Sequence, residues 1–271
     1  MRSALCIYDL DQQAAEVLFA TDAHIEAPNW HPDGYLIVNS AGRLYRVDMA
    51  RPELTPIDTG FAQACNNDHG VSPDGQTLAI SDRSRTDGSC IYTLPVSGGT
   101  PSRVTQQLPS YWHGWSPDGQ RLAYVGRRDG PFALFTCQLD GTDETCLTDG
   151  FDHVDGPDYT PDGQWIWFNA ERDGAVDLWR IRPDGTDLQQ MTADSHVNWF
   201  PHPCPKGAHV LYLAYPQGTD GHPANRDVAL CLMPADGGQT RQLLQICGGQ
   251  GSINVPCWAP DGRRFAFMRF C

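Results

Sequence analysis

The chain has 271 residues, 40% of them hydrophobic, and a net charge of −14 at pH 7. That acidity excludes broad attraction to nucleic acid or anionic membranes, and no run approaches the ~20 apolar residues of a membrane span. The 27 glycines and 21 prolines fit one turn-rich domain over residues 1–271, with no linker or low-complexity tract.

In chain order, the first predicted elements are two strands in "ALCIYDLDQQAAEVLFAT". The start, "MRSALCIYDLDQQ", has too short an apolar stretch for a secretory signal. A unit then recurs six times: "HPDGYLIV", "SPDGQTLAI", "SPDGQRLAYV", "TPDGQWIWF", and the degenerate "CPKGAHVLYL" and "APDGRRFAFM". Its glycines are Gly34, Gly75, Gly119, Gly163, Gly207 and Gly262, at steps of 41, 44, 44, 44 and 55 residues. Proline at the second turn position and glycine at positive φ make each Pro-Asp-Gly a tight reversal. An apolar, β-branched or aromatic run follows, too short for a helix and suited to a strand.

A second turn ("RRDG", "ERDG"), a third strand ("FALFTCQL", "VDLWRIR") and a Gly-rich turn before a short fourth strand complete each unit. Four antiparallel strands with a period in the forties predict one propeller blade per unit. The chain's first two strands match the third and fourth of a blade, and "CWAPDGRRFAFMRFC" matches the first and second. The prediction is an all-β, six-bladed propeller whose last blade is built from both termini.

The repeats resemble those of the TolB-like propeller family. The residues that carry this are "WSPDGQRLAYVGRRDG…LFTCQLDGTDETCLT" and "YTPDGQWIWFNAERDG…DLWRIRPDGTDLQQMT", and the pattern extends over essentially the whole chain. The resemblance implies the six-bladed fold. TolB itself adds an export signal and an N-terminal domain; neither is legible here, so a stand-alone form outside the Tol–Pal envelope system is expected. Ten scattered cysteines without a Cys-x-x-Cys pair lead to the expectation of reduced thiols in a cytoplasmic, monomeric protein.

In a propeller, the loops entering the innermost strands converge on one mouth of the central channel, opposite the Pro-Asp-Gly turns, and such openings commonly hold ligands. Aligned on the turn proline, His69 and His113 share an offset that holds Pro28, Pro157, Pro201 and Pro256 in the other blades; His202 lies one residue later. Two residues earlier the series reads Glu26, Asn67, Tyr111, Asp155, Trp199 and Asn254. Glu26, Asn67, Asp68, Tyr111, Trp112, Asn198, Trp199 and Asn254 are therefore the expected ligand contacts. His113, His69 and Asp155 are the candidate catalytic groups. Each histidine equally suits an inter-blade hydrogen bond, and Trp112 and Trp199 equally suit packing between blades. Arg127 and Arg172, on second-to-third-strand turns of the same face, are candidate anchors for an acidic ligand. His153 and His196 are expected at the surface. The insertion "YPQGTDGHPANRD" (215–227) is expected to form a flap carrying His222 and Arg226.

Two functions follow. The first is a binding module taking a small molecule, carbohydrate or protein partner at the mouth. The alternative rests on a resemblance in arrangement to oligogalacturonate lyases, propellers that use channel histidines around a divalent metal. It implies a metal-assisted lyase or hydrolase acting on acidic sugars, with His69, His113 and His202 on one Mn, Zn or Ca ion and Arg127 or Arg172 holding the sugar.

Overall fold

The structure, a computed structural model, describes residues 2–270. Strands β1 (Ser3–Asp9) and β2 (Ala14–Thr21) open the chain. Five four-stranded antiparallel sheets follow. Blade one is β3 (Glu26–Trp30), β4 (Tyr35–Ser40), β5 (Arg43–Asp48) and β6 (Leu54–Pro56). Blade two is β7 (Cys65–Val71), β8 (Thr77–Asp82), β9 (Cys90–Pro95) and β10 (Ser102–Arg103). Blade three is β11 (Ser110–Trp115), β12 (Arg121–Arg127), β13 (Phe132–Gln138) and β14 (Thr145–Cys146). Blade four is β15 (His153–Tyr159), β16 (Ile166–Arg172), β17 (Ala175–Ile181) and β18 (Gln189–Gln190). Blade five is β19 (Val197–Pro203), β20 (His209–Tyr215), β21 (Arg226–Pro234) and β22 (Arg241–Gly248).

The sixth blade joins the two ends of the chain: β23 (Arg264–Phe270) pairs with β1 from Ser3↔Phe270 to Asp9↔Arg264. Its innermost run is irregular, held by a Trp258–Phe265 bridge and by the Met268 N–H donating to Ser252 O at 3.0 Å. The fold is thus the expected six-bladed, all-β propeller.

The Pro-Asp-Gly turns behave as their chemistry dictates. In blade two the Gly75 N–H donates to Ser72 O (2.9 Å) with Gly75 at φ +75°, and the Ser72 hydroxyl donates to the Asp74 carboxylate. Ser116–Asp118 and Thr160–Asp162 repeat that hydroxyl contact. Between blades the core is apolar, and Trp112, Trp167, Phe168 and Phe267 are among its fully buried side chains. Polar ties cross the same seams. The indole N–H of Trp115 donates to Gly70 O (3.0 Å), that of Trp258 to His202 O (2.9 Å), and Asn39 to Asn66 O (2.6 Å). Cys65, Cys90, Cys137, Cys204, Cys231 and Cys257 are buried among these seams, in keeping with a small apolar role, and Cys271 lies outside the described residues.

One irregularity positions the mouth. Each of the five regular innermost strands carries a bulge. Glu26 pairs with Asn39 but Asn29 with Ile37, and the same shift separates Asp155 from Asp158 and Trp199 from His202. In β11 the shift falls between Trp112 and Gly114, and in β7 between Cys65 and His69. Ala27, Gly156 and Phe200 sit in these bulges at φ +55°, +60° and +55°, each just before a proline. A bulge turns the strand and re-aims its side chains.

The packing at the blade-two/blade-three seam leaves no room for a methyl group. A Cβ on Gly70 would overlap the six-membered ring of Trp112, and Trp112 is fully buried. Gly70→Ala should lower unfolding stability by about 1–3 kcal/mol, read as a reduced denaturation midpoint with an unchanged denaturant slope.

Candidate functional site

The bulged ends of the innermost strands surround a cavity of about 300 Å³ at the channel mouth. Blade two contributes Asn66, Asn67 and Asp68; blade three Tyr111, His113, Val125 and Phe132; blade four His153 and Asp155; blade six Gln250 and Asn254. His222 reaches it from the blade-five insertion.

Asp155 is the centre of the hydrogen bonding. Its Oδ1 accepts from the Gly156 N–H at 2.8 Å and meets His113 Nε2 at 2.9 Å, while Oδ2 faces His222 Nε2 at 3.5 Å. Residue 156 has to be glycine, because a Cβ there would approach Asn169 Oδ1 to 2.9 Å and Phe200 Cδ1 to 3.1 Å. His222 lies against the Trp199 ring (centroids 4.3 Å apart) and edge-on to Phe200 (5.2 Å). The insertion is seated by Pro223 O, which accepts from Tyr215 OH (3.2 Å) and from the Gln250 N–H (3.4 Å). A Cβ at Gly249, φ +106°, would collide with that same carbonyl.

Across the cavity, the Asn66 side chain brackets Asp68: its amide donates to Oδ2, and its carbonyl accepts the Asp68 N–H at 3.1 Å. The Asn67 amide donates to Glu26 Oε2 at 3.3 Å, and Asn254 accepts from the Gly251 N–H at 2.6 Å. Tyr111, Phe132 and His153 form an aromatic side to the cavity, with ring centroids 6.0 Å apart for Tyr111–Phe132 and 5.4 Å for Phe132–His153.

Burial acts on all of these acids and bases, and their neighbours decide the outcome. Burial lifts the Asp68 carboxyl to about 7; His113 pulls against it, while Asp155 and Glu26 add to it. Burial would lift Asp155 too, but His113, His222 and His153 outweigh it and hold the carboxylate well below its usual range. For His113 burial favours the neutral ring, yet Asp68 and Asp155 together raise its affinity for a proton. Burial lowers His222, against the pull of Asp155. The mouth therefore holds a carboxylate kept ionised by its histidine neighbours, beside a carboxyl that exchanges its proton near neutral pH.

Asn67, Asp68, Tyr111, His113, Asp155 and Asn254 thus meet at one opening, with Glu26 behind Asn67. Other expected contacts lie elsewhere. Trp112 is wholly buried among Ile91, Trp115 and Tyr124, and Trp199 is covered by His222 and is 2% exposed. Asn198 is buried and bonds Thr192 and Asp194 at 3.3 Å. Arg172 lies over Phe151 (4.0 Å) and Trp179 (4.8 Å) on the outer part of blade four, and Arg127 lies beside the cavity, over Phe132 at 5.5 Å.

The three histidines expected on one ion are divided among separate partners. His69 Nε2 faces Ile37 O at 3.4 Å; His202 meets Asp158 at 3.1 Å and Ile253 O at 2.7 Å; His113 takes Asp155. Burial drives His69 down to about 4, a neutral ring. Among the described residues no group of three His, Cys, Asp or Glu side chains is placed to hold a metal. The residues present do not fit the metal arrangement.

His153 lines the mouth instead of lying on the outer surface, because β15 begins with it. Phe132, Val125, Asn66 and Gln250 also line it without having been singled out; their signal was adjacency to the converging loops, which composition does not rank. His222 was legible only as part of an unusual insertion.

A family profile for the TolB β-propeller domain (PD40) matches residues 109–228. An uncharacterised protein of Agrobacterium fabrum is 47% identical over 272 residues, covering 100% of this chain and 93% of its own length. A solved structure from Agrobacterium tumefaciens, described as a TolB candidate, superposes with a TM-score of 0.98 at 47% identity, over 100% of this chain and 99% of that one. TolB from Acinetobacter baumannii gives 0.70 at 17% identity, over 92% of this chain and 64% of that one. An oligogalacturonate lyase in complex with manganese gives 0.57 at 17% identity, over 90% and 67%, a likeness of fold alone.

Asp68 gives the mouth a signature in stability. A carboxyl whose proton is held more tightly folded than unfolded adds stability at low pH and loses it as pH rises from ~3.9 through its folded value, here about 7. Asp68→Asn removes that loss. The variant's stability relative to the parent should rise between pH 5 and pH 8, by at most about 3 kcal/mol, measured as paired denaturation curves.

Proposed function

The chain belongs to the TolB-like β-propeller family, and on that premise we propose that it is a binding module whose ligand seats in the channel mouth. One observation carries the proposal: side chains from five of the six blades converge on the buried Asp155–His113 pair in a cavity of about 300 Å³. Pockets of that size, part apolar and part lined by a few placed polar groups, are the usual form of small-molecule sites. Here the Tyr111–Phe132 side offers an apolar face, and Asn67, Asp68, Gln250 and Asn254 offer hydrogen bonds opposite. That combination suits a small, hydroxyl-rich molecule such as a sugar, with one ring face against the aromatics and its hydroxyls toward the amides and carboxyls.

A second reading, acid–base chemistry at the same mouth, is favoured by one specific feature. Asp68 and Asp155 are pushed in opposite directions, so one carboxyl donates a proton while the other remains ionised, the pattern by which paired acids divide catalytic roles.

Binding is tested by titrating neutral and acidic mono- and disaccharides and polyols into the protein while following histidine ring resonances. Ligands of the mouth should move His113, His153 and His222 together, and Asp155→Asn should abolish the response with folding intact. Shifts confined to the Pro-Asp-Gly face would overturn the proposal. Turnover lost in Asp68→Asn while binding survives would promote the acid–base reading.

A further inference from the structure

The walls of the mouth leave acceptors open and keep their donors engaged. Asp68 is only 6% exposed, and it lines this cavity. Its Oδ2 accepts from the Asn66 amide, whereas among the described residues nothing donates to Oδ1. That oxygen is not among the buried polar atoms sealed from solvent, so it opens into the cavity. Asn67 repeats the arrangement: its amide donates to Glu26, and its side-chain carbonyl is left open. On the donor side, the Asn254 amide bonds Gln250 Oε1 at 3.1 Å. His113 meets Asp155 through Nε2, and its Nδ1 is closed to solvent.

The charges of the mouth lean the same way. No lysine or arginine lines the cavity, and Arg83 and Arg127 bear on the Tyr111 hydroxyl without lining it. His113 acts on Asp68 through space but is bonded to Asp155, so Asp68 has no counter-ion of its own. A buried carboxylate in that position gains from a cation brought by a ligand. Beside it the Tyr111 hydroxyl feels the Asp68 charge, and the Tyr111 ring forms part of the aromatic side. Aromatic faces attract cations as well.

We infer that the ligand of the mouth carries an ammonium group, seated on Asp68 with Asn67 and Tyr111 as its neighbouring contacts; amino sugars and amino polyols are the class this describes. The inference rests on the reading of the mouth as a ligand site and narrows it. An ammonium has three donors and no acceptor, the complement of what the walls leave open. Its bond to a carboxylate is charge-assisted and roughly twice as strong as a neutral one. The chain's net charge of −14 draws cations toward the protein as a whole.

The full-length protein is titrated at pH 7 and constant ionic strength with cyclohexylamine and cyclohexanol, which share a ring and differ in charge, and with glucosamine and glucose. Binding is read by calorimetry and by the ring resonances of His113, His153 and His222. Each amine should bind at least roughly tenfold tighter than its partner alcohol, the scale of one hydrogen bond to a charged group. Asp155, Glu26, His113 and the Tyr111 hydroxyl are the titratable groups around Asp68. Only the ionised fraction of Asp68 receives an ammonium. Cyclohexylammonium affinity should therefore rise about tenfold per pH unit from pH 5 and flatten above the Asp68 midpoint at about 7. Asp68→Asn should erase both the preference for the amine and this slope, with a denaturation curve checking the fold. Tyr111→Leu should weaken the amine about two- to fivefold, the scale of one cation–aromatic contact. A slope that survives in Asp68→Asn would belong to His113 and would overturn the inference. Equal affinity for amine and alcohol would also overturn it, while leaving the mouth as a site for neutral ligands. Shifts that never saturate would mean diffuse attraction to an acidic surface and would end it. Silence of the three histidines toward all four compounds would end it as well, and the mouth reading would then be decided by the acidic sugars and other polyols alone.

Discussion

The bulge in each innermost strand is the constraint from which the rest of the mouth follows. In an unbroken strand, side chains alternate strictly between the two faces, and no run of neighbours addresses one point. Extra residues between Asp155 and Asp158, at His113 and between Cys65 and His69 break that alternation. Asp155 then points to the opening while Asp158, three residues on, points to His202. The left-handed Ala27 and Phe200 cost on the order of 1–3 kcal/mol each. Fixed acceptors offset this: Gly251 O for the Ala27 N–H (2.7 Å) and Asn169 Oδ1 for the Phe200 N–H (2.9 Å).

Below the bulges the channel's polar residues serve the ring. His202 bridges Asp158 of blade four to Ile253 of blade six, and Trp258 donates to the carbonyl of that same His202. His31 Nε2 similarly reaches Gly75 O at 2.9 Å in the next blade. A buried imidazole with both nitrogens engaged by protein has little capacity left for a ligand. The division between scaffold and site therefore runs across the channel rather than between residue types, with histidines on both sides of it.

This is why the fold was legible in the sequence and the site only in part. Pro-Asp-Gly turns have a local cause, so their recurrence reports blade number directly, and even the degenerate Gly207 and Gly262 copies keep positive φ. The ring of residues preceding each turn was also visible, and Asp155, Asn67, Tyr111 and Asn254 do reach the opening. Counting back from the turn cannot fix direction, however, because the bulges differ. His113 is the unpaired extra residue of β11, whereas His69, at the same offset, is paired with Ile80 in β7 and turns toward Ile37 O. Trp112 and Trp199 were lost to the seams for a similar reason: the volume of an indole is better satisfied between blades than over a wet cavity. His222 comes from a loop without periodicity, and its place depends on Tyr215 and Gln250 bonding Pro223 O, contacts that no local pattern announces.

The flap gives the mouth its last property. Asp155 already has His113 and the Gly156 N–H, so His222 arrives as an additional neighbour and one that burial keeps toward its neutral form. The seated insertion thus covers the carboxylate with a neighbour that burial shifts toward its neutral form. On the opposite wall burial lifts the Asp68 carboxyl to about 7, with His113 opposing the rise and Asp155 adding to it. Protonation on the two walls is therefore coupled through His113, whose charge bears on Asp68 and Asp155 alike.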